Sequence, residues 1–453
     1  MPVAVVVFTR DLRVSDHPAL AAAASDADRV LPLFVLDDAL LAGRANRANR
    51  TGFLLESLAD LDRSLRSLGS GLVVRRGEWT TTVTRVAQEV GAKAIHLSRD
   101  TTPYAQRRGA RLRTAAAAAG LAVLEHDGST IVAPGALAPA GGDHYRVFTP
   151  YFRSWLAAPR RTIAEAPQRI RLPEGITPGP LPELADLVSG ARSPSVVPGG
   201  ATAARRRLDA WIADGVTAYG DRHDDLPGDA TSRLSPYLHF GCVSPVEVLD
   251  AAGTQAGAEP FVRQLCWRDF FAQILAARPD AAWSDYRPHG VPWRDDPHAF
   301  EAWQQGRTGY PVVDAAMRQL ALEGFVHNRA RMIVASFLTK DLHLDWRTGA
   351  HHFLDWLVDG DIASNNLNWQ WVAGTGTDTN PHRIFNPTVQ GKRFDPDGEY
   401  VRRYVPELAA LRGAATHDPD TAVRRAYGYP DPIVDHHAAI TEYRAALGAR
   451  LDA

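Results

Sequence analysis

Residues 359 to 371, DGDIASNNLNWQW, place two aspartates, three asparagines and two tryptophans in thirteen positions ahead of a Gly/Thr turn. Carboxylates accept hydrogen bonds, amides give and accept them, and indoles offer flat apolar faces. At helical spacing Asp361, Asn365 and Trp369 share one face, while Trp371 lies about 200° round from Trp369, so one segment presents an indole in two directions. A core helix capped by Asp359 or Asp361 accounts for any one of these residues taken alone. The cluster gains meaning only from its neighbours.

Three more segments carry comparable chemistry. In TSRLSPYLHFG (231 to 241), Thr231, Ser232 and Ser235 stand at a predicted helix start, where hydroxyls and free N–H groups hold either their own backbone or a phosphate. QLCWRDFF (264 to 271) sets a carboxamide, an indole and a guanidinium along one helical turn, and HNRARM (327 to 332) adds an amide and two arginines. His351-His352 and His436-His437 are adjacent pairs without i, i+4 spacing, and no metal site is expected from them.

The elements that must position these groups fall into two kinds. Short β-branched runs recur at 3 to 8, 30 to 36, 72 to 76, 94 to 98 and 121 to 125, alternating with Ala/Leu/Arg-rich helical stretches. That rhythm predicts a doubly wound parallel α/β sheet, without GxGxxG or a P-loop. Residues 131 to 199 turn rich in Pro, Gly and Ala and read as a long surface connection. Beyond 200 the periodicity is helical, and eight of the eleven tryptophans fall between 267 and 371.

Size and composition, 453 residues with 45% apolar and 23% charged, suit two or three globular domains and exclude disordered and collagen-like classes. Cys242 and Cys266 form no CxxC pair, which speaks against a disulfide framework or thiolate zinc site. MPVAVVVFTRDLR lacks the apolar core of a signal peptide, and no run reaches the roughly 18 apolar residues of a membrane span, so a soluble cytoplasmic protein is expected. With a formal charge of −2, nucleic-acid contact would rest on local basic runs such as 204 to 208, 327 to 332 and 391 to 394.

Taken in order, FTRDLRVSDHPAL, HYRVFTPYFRSW, Tyr219 ahead of TSRLSPYLHFG, GYPVVDAAMRQL, HNRARMIVASFLTKDLHLDWR, the opening cluster and RIFNPTVQGKRFD resemble the photolyase/cryptochrome family almost end to end. The match is nearest to class I cyclobutane pyrimidine dimer photolyases. The resemblance implies an α/β, Rossmann-like antenna domain at 1–130, a linker at 131–199, and an all-α domain at 200–453 that holds FAD in a bent conformation.

By the same resemblance, Tyr219, Thr231, Ser232, Arg233, Leu234 and Ser235 hold the cofactor's diphosphate side, and Asp359, Gly360 and Asp361 meet its hydroxyls and ring. Arg331 pairs with Asp359 beside the flavin, and Asn365 faces flavin N5. Trp369, Trp346 and Trp293 match the family's electron-relay tryptophans. Gln264, Trp267, Arg268, Asn328, Arg329, Met332, Trp371 and Gln390 match its lesion-pocket and DNA contacts. The implied activity is light-driven repair of cyclobutane pyrimidine dimers in UV-damaged DNA by electron transfer from excited reduced FAD, in a monomer that needs no protein partner or membrane and joins the nucleoid on finding damage.

Several positions depart from the family pattern. Gln264 stands where dimer photolyases often carry Glu, and His223 where some relatives have an Arg that touches DNA. His327-Asn328 replaces the paired histidines of six-four photolyases, which favours cyclobutane dimers. Arg107-Arg108 replaces the Asn-Glu pair of folate-binding relatives, which favours 8-hydroxy-5-deazaflavin over methenyltetrahydrofolate as antenna, or no antenna. Cryptochrome-type signalling is the competing reading. Asn365, the near-complete lesion pocket and a chain read as ending without a signalling tail weigh against it, and a flavin electron carrier would need no Trp371.

Overall fold

The computed structural model describes residues 2–288 and 290–451. Five parallel strands open the chain: β1 Val3–Phe8, β2 Arg29–Asp37, β3 Val73–Gly77, β4 Ala94–Ser98 and β5 Ala122–His126, ordered β3-β2-β1-β4-β5. The expected doubly wound sheet is present, with strand bounds within a residue of those read from the β-branched runs.

Alternation along β1 accounts for its nearly continuous apolar sequence. Ala4, Val6 and Phe8 join one buried cluster, while Val5 and Val7 pack on the opposite face with Trp79, Val83 and Val86 of helix Trp79–Glu89. A parallel sheet covered on both faces demands apolar residues at both parities. The first cluster runs on into the helical region through Trp155, Phe240 and Phe270, so one core joins the two halves.

The junction is close. Leu12 N donates to Phe240 O at 3.1 Å and Arg13 Nη1 to Gly241 O at 3.0 Å. A Cβ at Gly241, where φ is 66°, would lie 2.1 Å from Arg10 O, so only glycine permits this approach.

The stretch expected to be a surface connection is partly interior. Helix Phe148–Ala157 buries Phe148, Tyr151, Phe152 and Trp155. Asp269 Oδ2, on helix Glu259–Ala277, accepts from Ile131 N and Val132 N at 2.9 Å and from Trp155 Nε1 at 3.0 Å, pinning the connection down. From residue 201 onward the described chain contains helices and turns with no strand. A second core there gathers Trp303, Met317, Ile333, Phe337, Trp346, Phe353 and Trp369. No helix among the described residues is long and apolar enough to cross a membrane.

Candidate functional site

Helix Ile362–Ala373 begins at Asp361, whose side chain accepts from Ser364 N at 2.8 Å. Of the two aspartates that could cap it, Asp361 does so. Trp369 is buried against Trp303 and Phe353, at centroid distances of 6.0 and 5.1 Å. Gly349 of helix Trp346–Trp356 crosses so near that a Cβ there would lie 2.3 Å from Trp369 Cη2. Trp346, three residues before it, is fully buried and donates from Nε1 to Asp285 Oδ1 at 2.9 Å. Trp293 is half-buried with its ring edge-on to His343 at 5.5 Å. All three tryptophans thus belong to or pack on the same core, and Trp293 is the one with solvent access.

Trp371 leaves the opposite side of its helix, half-buried, and meets Trp267 edge to face with centroids 5.1 Å apart and planes at 88°. Trp267 in turn lies flat on Phe148, 3.7 Å away and 3° from parallel. Gln264 is exposed one turn earlier on the same helix. Asn328 opens helix Asn328–Ser336, is exposed, and lies 3.9 Å from Met332 Sδ. Gln390 is half-buried on helix Pro387–Phe394, and its Oε1 has no partner.

A second group surrounds Asp359, which is 8% exposed. Arg331 Nη2 donates to its two oxygens at 3.1 and 2.9 Å, and Ser235 Oγ donates to Oδ2 at 2.5 Å. Gly360 follows, and a Cβ on it would press 3.1 Å from both Arg50 and Leu354. Asn365, 7% exposed, spends its amide N–H groups on Ala350 O at 3.2 Å and Asn366 Oδ1 at 2.9 Å. Its carbonyl oxygen remains as the acceptor for a ligand N–H.

The loop before helix Ser235–Phe240 is held from outside. Arg207 donates to Ser232 O at 2.6 Å and Thr231 O at 2.9 Å, and Arg233, at φ 49°, is tied to Asp229 and Glu323 at 2.6 and 2.7 Å. No side chain caps the helix, and Thr231 Oγ1 is buried without a partner. Of the other two hydroxyls, Ser232 Oγ holds its own backbone, accepting from Leu234 N at 3.3 Å, and Ser235 Oγ is turned to Asp359. Leu234 is buried beside them, and Tyr219 packs edge-on against Trp211 and Phe261. A buried hydroxyl without a partner, a carboxylate paired with a guanidinium and a buried amide suit a cofactor that combines a diphosphate with a polar ring.

The chain matches the model described as DNA photolyase over residues 4–170 and the model described as the FAD binding domain of DNA photolyase over 261–449. It is 53% identical over 455 residues to the deoxyribodipyrimidine photo-lyase of Streptomyces griseus, covering 99% of this chain and all of that one. The chain belongs to the DNA photolyase family. A class III photolyase from Agrobacterium tumefaciens superposes with a TM-score of 0.92 at 35% identity, over 100% of this chain and 98% of that one. An archaeal photolyase from Sulfolobus tokodaii, described as holding two FAD molecules with the implication of a novel light-harvesting cofactor, gives 0.88 at 30% identity, over 99% and 100%.

Within this photolyase fold, two residues expected at the cofactor or at DNA have partners within the chain. Asp361 pairs with Arg10 from the loop after β1, and its other oxygen caps the helix. Burial alone would raise its carboxyl, yet Arg10, with His239 and Arg268 behind it, holds it well below the usual carboxylate range. Arg268, expected at DNA, donates to Ser129 O at 2.5 Å and Leu238 O at 3.4 Å. Both line a cleft with Thr9, Arg10 and residues 98–102. It opens where the strand order reverses, between β1 and β4, the crevice in which doubly wound folds bind ligands. Arg10 lies within the FTRDLR stretch, but its pairing with Asp361 was not legible there.

Arg329, expected to grip phosphate, is engaged by Asp224 through Nε at 3.0 Å and Nη2 at 2.5 Å. Sequence reasoning does not single out Phe148, the buried ring behind Trp267. Its signal was present, since Phe148, Tyr151, Phe152 and Trp155 recur at i, i+3, i+4 and i+7, the stripe of a buried helix face.

Proposed function

We propose that this chain is a light-driven DNA repair enzyme that splits cyclobutane pyrimidine dimers, as a deoxyribodipyrimidine photo-lyase does. The observation that carries the reading is the corner made by Trp267 and Trp371, two indoles at right angles, with Trp371 on the helix that starts just after the Asp359–Arg331 pair. A dimer inside a stacked duplex is out of reach, so it must be flipped into a pocket with apolar walls. Bound and reduced, FAD would supply on excitation the electron that splits the dimer, and recover it afterwards.

The chain's own residues hold, orient and shield. Thr231, Ser232, Arg233, Leu234 and Ser235, with Tyr219, would carry the diphosphate side. Arg331 and Asp359 would lie beside the ring, where the guanidinium offsets negative charge, and Gly360 would let the backbone pass close. Asn365 would turn its carbonyl oxygen to a ring N–H without taking the proton. Trp369, Trp346 and Trp293 would form the relay between ring and surface. Gln264, Trp267, Asn328, Met332, Trp371 and Gln390 would line the lesion pocket, with Arg329 at a phosphate.

For the antenna we favour a tricyclic 8-hydroxy-5-deazaflavin in the cleft of Arg10, Asp100 and Asp361 over methenyltetrahydrofolate. Arg108 is buried against Trp79 and Arg107 faces solvent, so neither supplies the acceptor that a glutamyl-pterin needs. Division at residues 130 and 200, a monomeric state and a cytoplasmic location with nucleoid association at damage complete the proposal. Blue-light incubation with a dimer-containing oligonucleotide tests it. Restored pyrimidines support repair; binding without turnover would move the reading to a cryptochrome-type photoreceptor, and the absence of both binding and repair would remove DNA from the function.

A further inference from the structure

Arg329 is gripped on two sides. Its Nε and Nη2 donate to the two oxygens of Asp224 at 3.0 and 2.5 Å, and its guanidinium carbon lies 4.5 Å from the centre of the Phe394 ring. Side-chain exposures of 18% for Arg329 and 24% for Asp224 leave the pair at the protein surface. A guanidinium has a side edge, through Nε, and an end edge, through its terminal nitrogens. Asp224 takes the side edge and Phe394 a face, so the end edge is what remains for an anion.

We propose that Asp224 is a positioning and specificity-determining residue for damaged DNA, orienting Arg329 toward one phosphate of the flipped strand and cancelling its charge toward all others. The inference rests on the repair reading, which places a phosphate at Arg329. Undamaged DNA is drawn by net positive charge, and affinity falls with salt according to how many phosphates are neutralised. With a chain charge of −2, each cation left uncancelled at the rim counts. An Arg329 neutralised by Asp224 adds little to that attraction. Its end edge still gives directed hydrogen bonds to a phosphate already brought close by a lesion seated between Trp267 and Trp371. Holding the long side chain in place beforehand also removes the ordering cost from binding.

Equilibrium binding of the FAD-loaded chain to a dimer-containing duplex and to the same duplex undamaged, over a range of salt, tests this. Asp224→Asn is expected to tighten binding to undamaged duplex, steepen its salt dependence by about one phosphate, and lower the preference for the dimer by about two- to tenfold. Asp224→Glu keeps the charge and shifts the grip, so it should lose preference while its salt dependence stays that of the native chain. In an Arg329→Gln background, Asp224→Asn should leave the preference for the dimer unchanged. If both variants keep the native preference and salt slope, Asp224 is an ordinary surface ion pair and the proposal fails. A native chain without preference for the dimer would instead bring down the repair reading, and this role with it.

Discussion

Trp267 and Trp371 stand at right angles, ring centres 5.1 Å apart, on helices Glu259–Ala277 and Ile362–Ala373 that lie about a hundred residues apart in the chain. Edge-to-face contact keeps the two indoles from stacking on each other. Phe148 covers one face of Trp267, so the corner has its back wall filled from the connecting segment and its open side toward solvent.

Removing one wall should therefore weaken lesion binding without unfolding the chain. Stacking of a base on an aromatic ring is worth about 1–3 kcal/mol, so Trp371→Ala is expected to loosen binding of a dimer-containing duplex by about ten- to a hundredfold. Phe148→Ala should give a smaller loss. Fluorescence anisotropy with labelled duplex measures both, and unaltered affinity in Trp371→Ala would take Trp371 out of the pocket.

Trp369 should control the supply of electrons from the surface. Trp369→Phe keeps an aromatic ring against Trp303 and Phe353 but lacks the easily oxidised indole, so the FAD-loaded chain should stay yellow under illumination with a reductant while the native chain bleaches. Gly349→Ala should disturb the same ring sterically, lowering stability by about 1–3 kcal/mol through overpacking. Normal photoreduction in Trp369→Phe would remove that residue from the relay.

Gln264 is exposed on the helix that carries Trp267. A carboxamide can donate to a base carbonyl, whereas a carboxylic acid can also pass a proton to a substrate gaining negative charge. Gln264→Glu should therefore raise the number of dimers split per absorbed photon while leaving dimer affinity within about threefold, a change of about 0.7 kcal/mol. Actinometry with a repair assay decides it; an equal yield means that the carboxyl group is dispensable here.

His352 gives the fold one of its acid sensitivities. Burial pushes its imidazole down to about 4, against the opposing pull of Asp355, and Gln304 Nε2 lies 3.0 Å from its Nδ1, a bond that requires the neutral ring. With the folded value below the unfolded one of about 6.5, the folded chain binds fewer protons between them. The contribution is complete above 6.5 and is lost as the pH falls toward 4. The melting temperature of His352→Gln should accordingly vary less between pH 7 and pH 5 than that of the native chain, and identical slopes would refute the assignment.

The parts of this architecture legible in sequence are those set by local pattern. β1 reads as a strand because both of its faces must be apolar, and Trp369 and Trp371 part company because helical geometry rotates them so. What escaped depended on partners distant in the chain. Nothing near Asp361 signals that Arg10, some 350 residues earlier, will claim it, and Asp224 and Arg329 meet across 105 positions. The Pro and Gly content of residues 131 to 199 masked Phe148, because composition averages away a four-residue stripe.

The central claim is that charge passes from the cofactor held by the carboxyl-terminal helices to a dimer at the Trp267–Trp371 corner, and returns. One saturating flash on the chain carrying chemically reduced FAD and a bound dimer duplex, with no external reductant, tests it most directly. Split dimers with the flavin still fully reduced are the expected result. Intact dimers, or dimers split at the cost of an equal amount of oxidised flavin, would contradict the account.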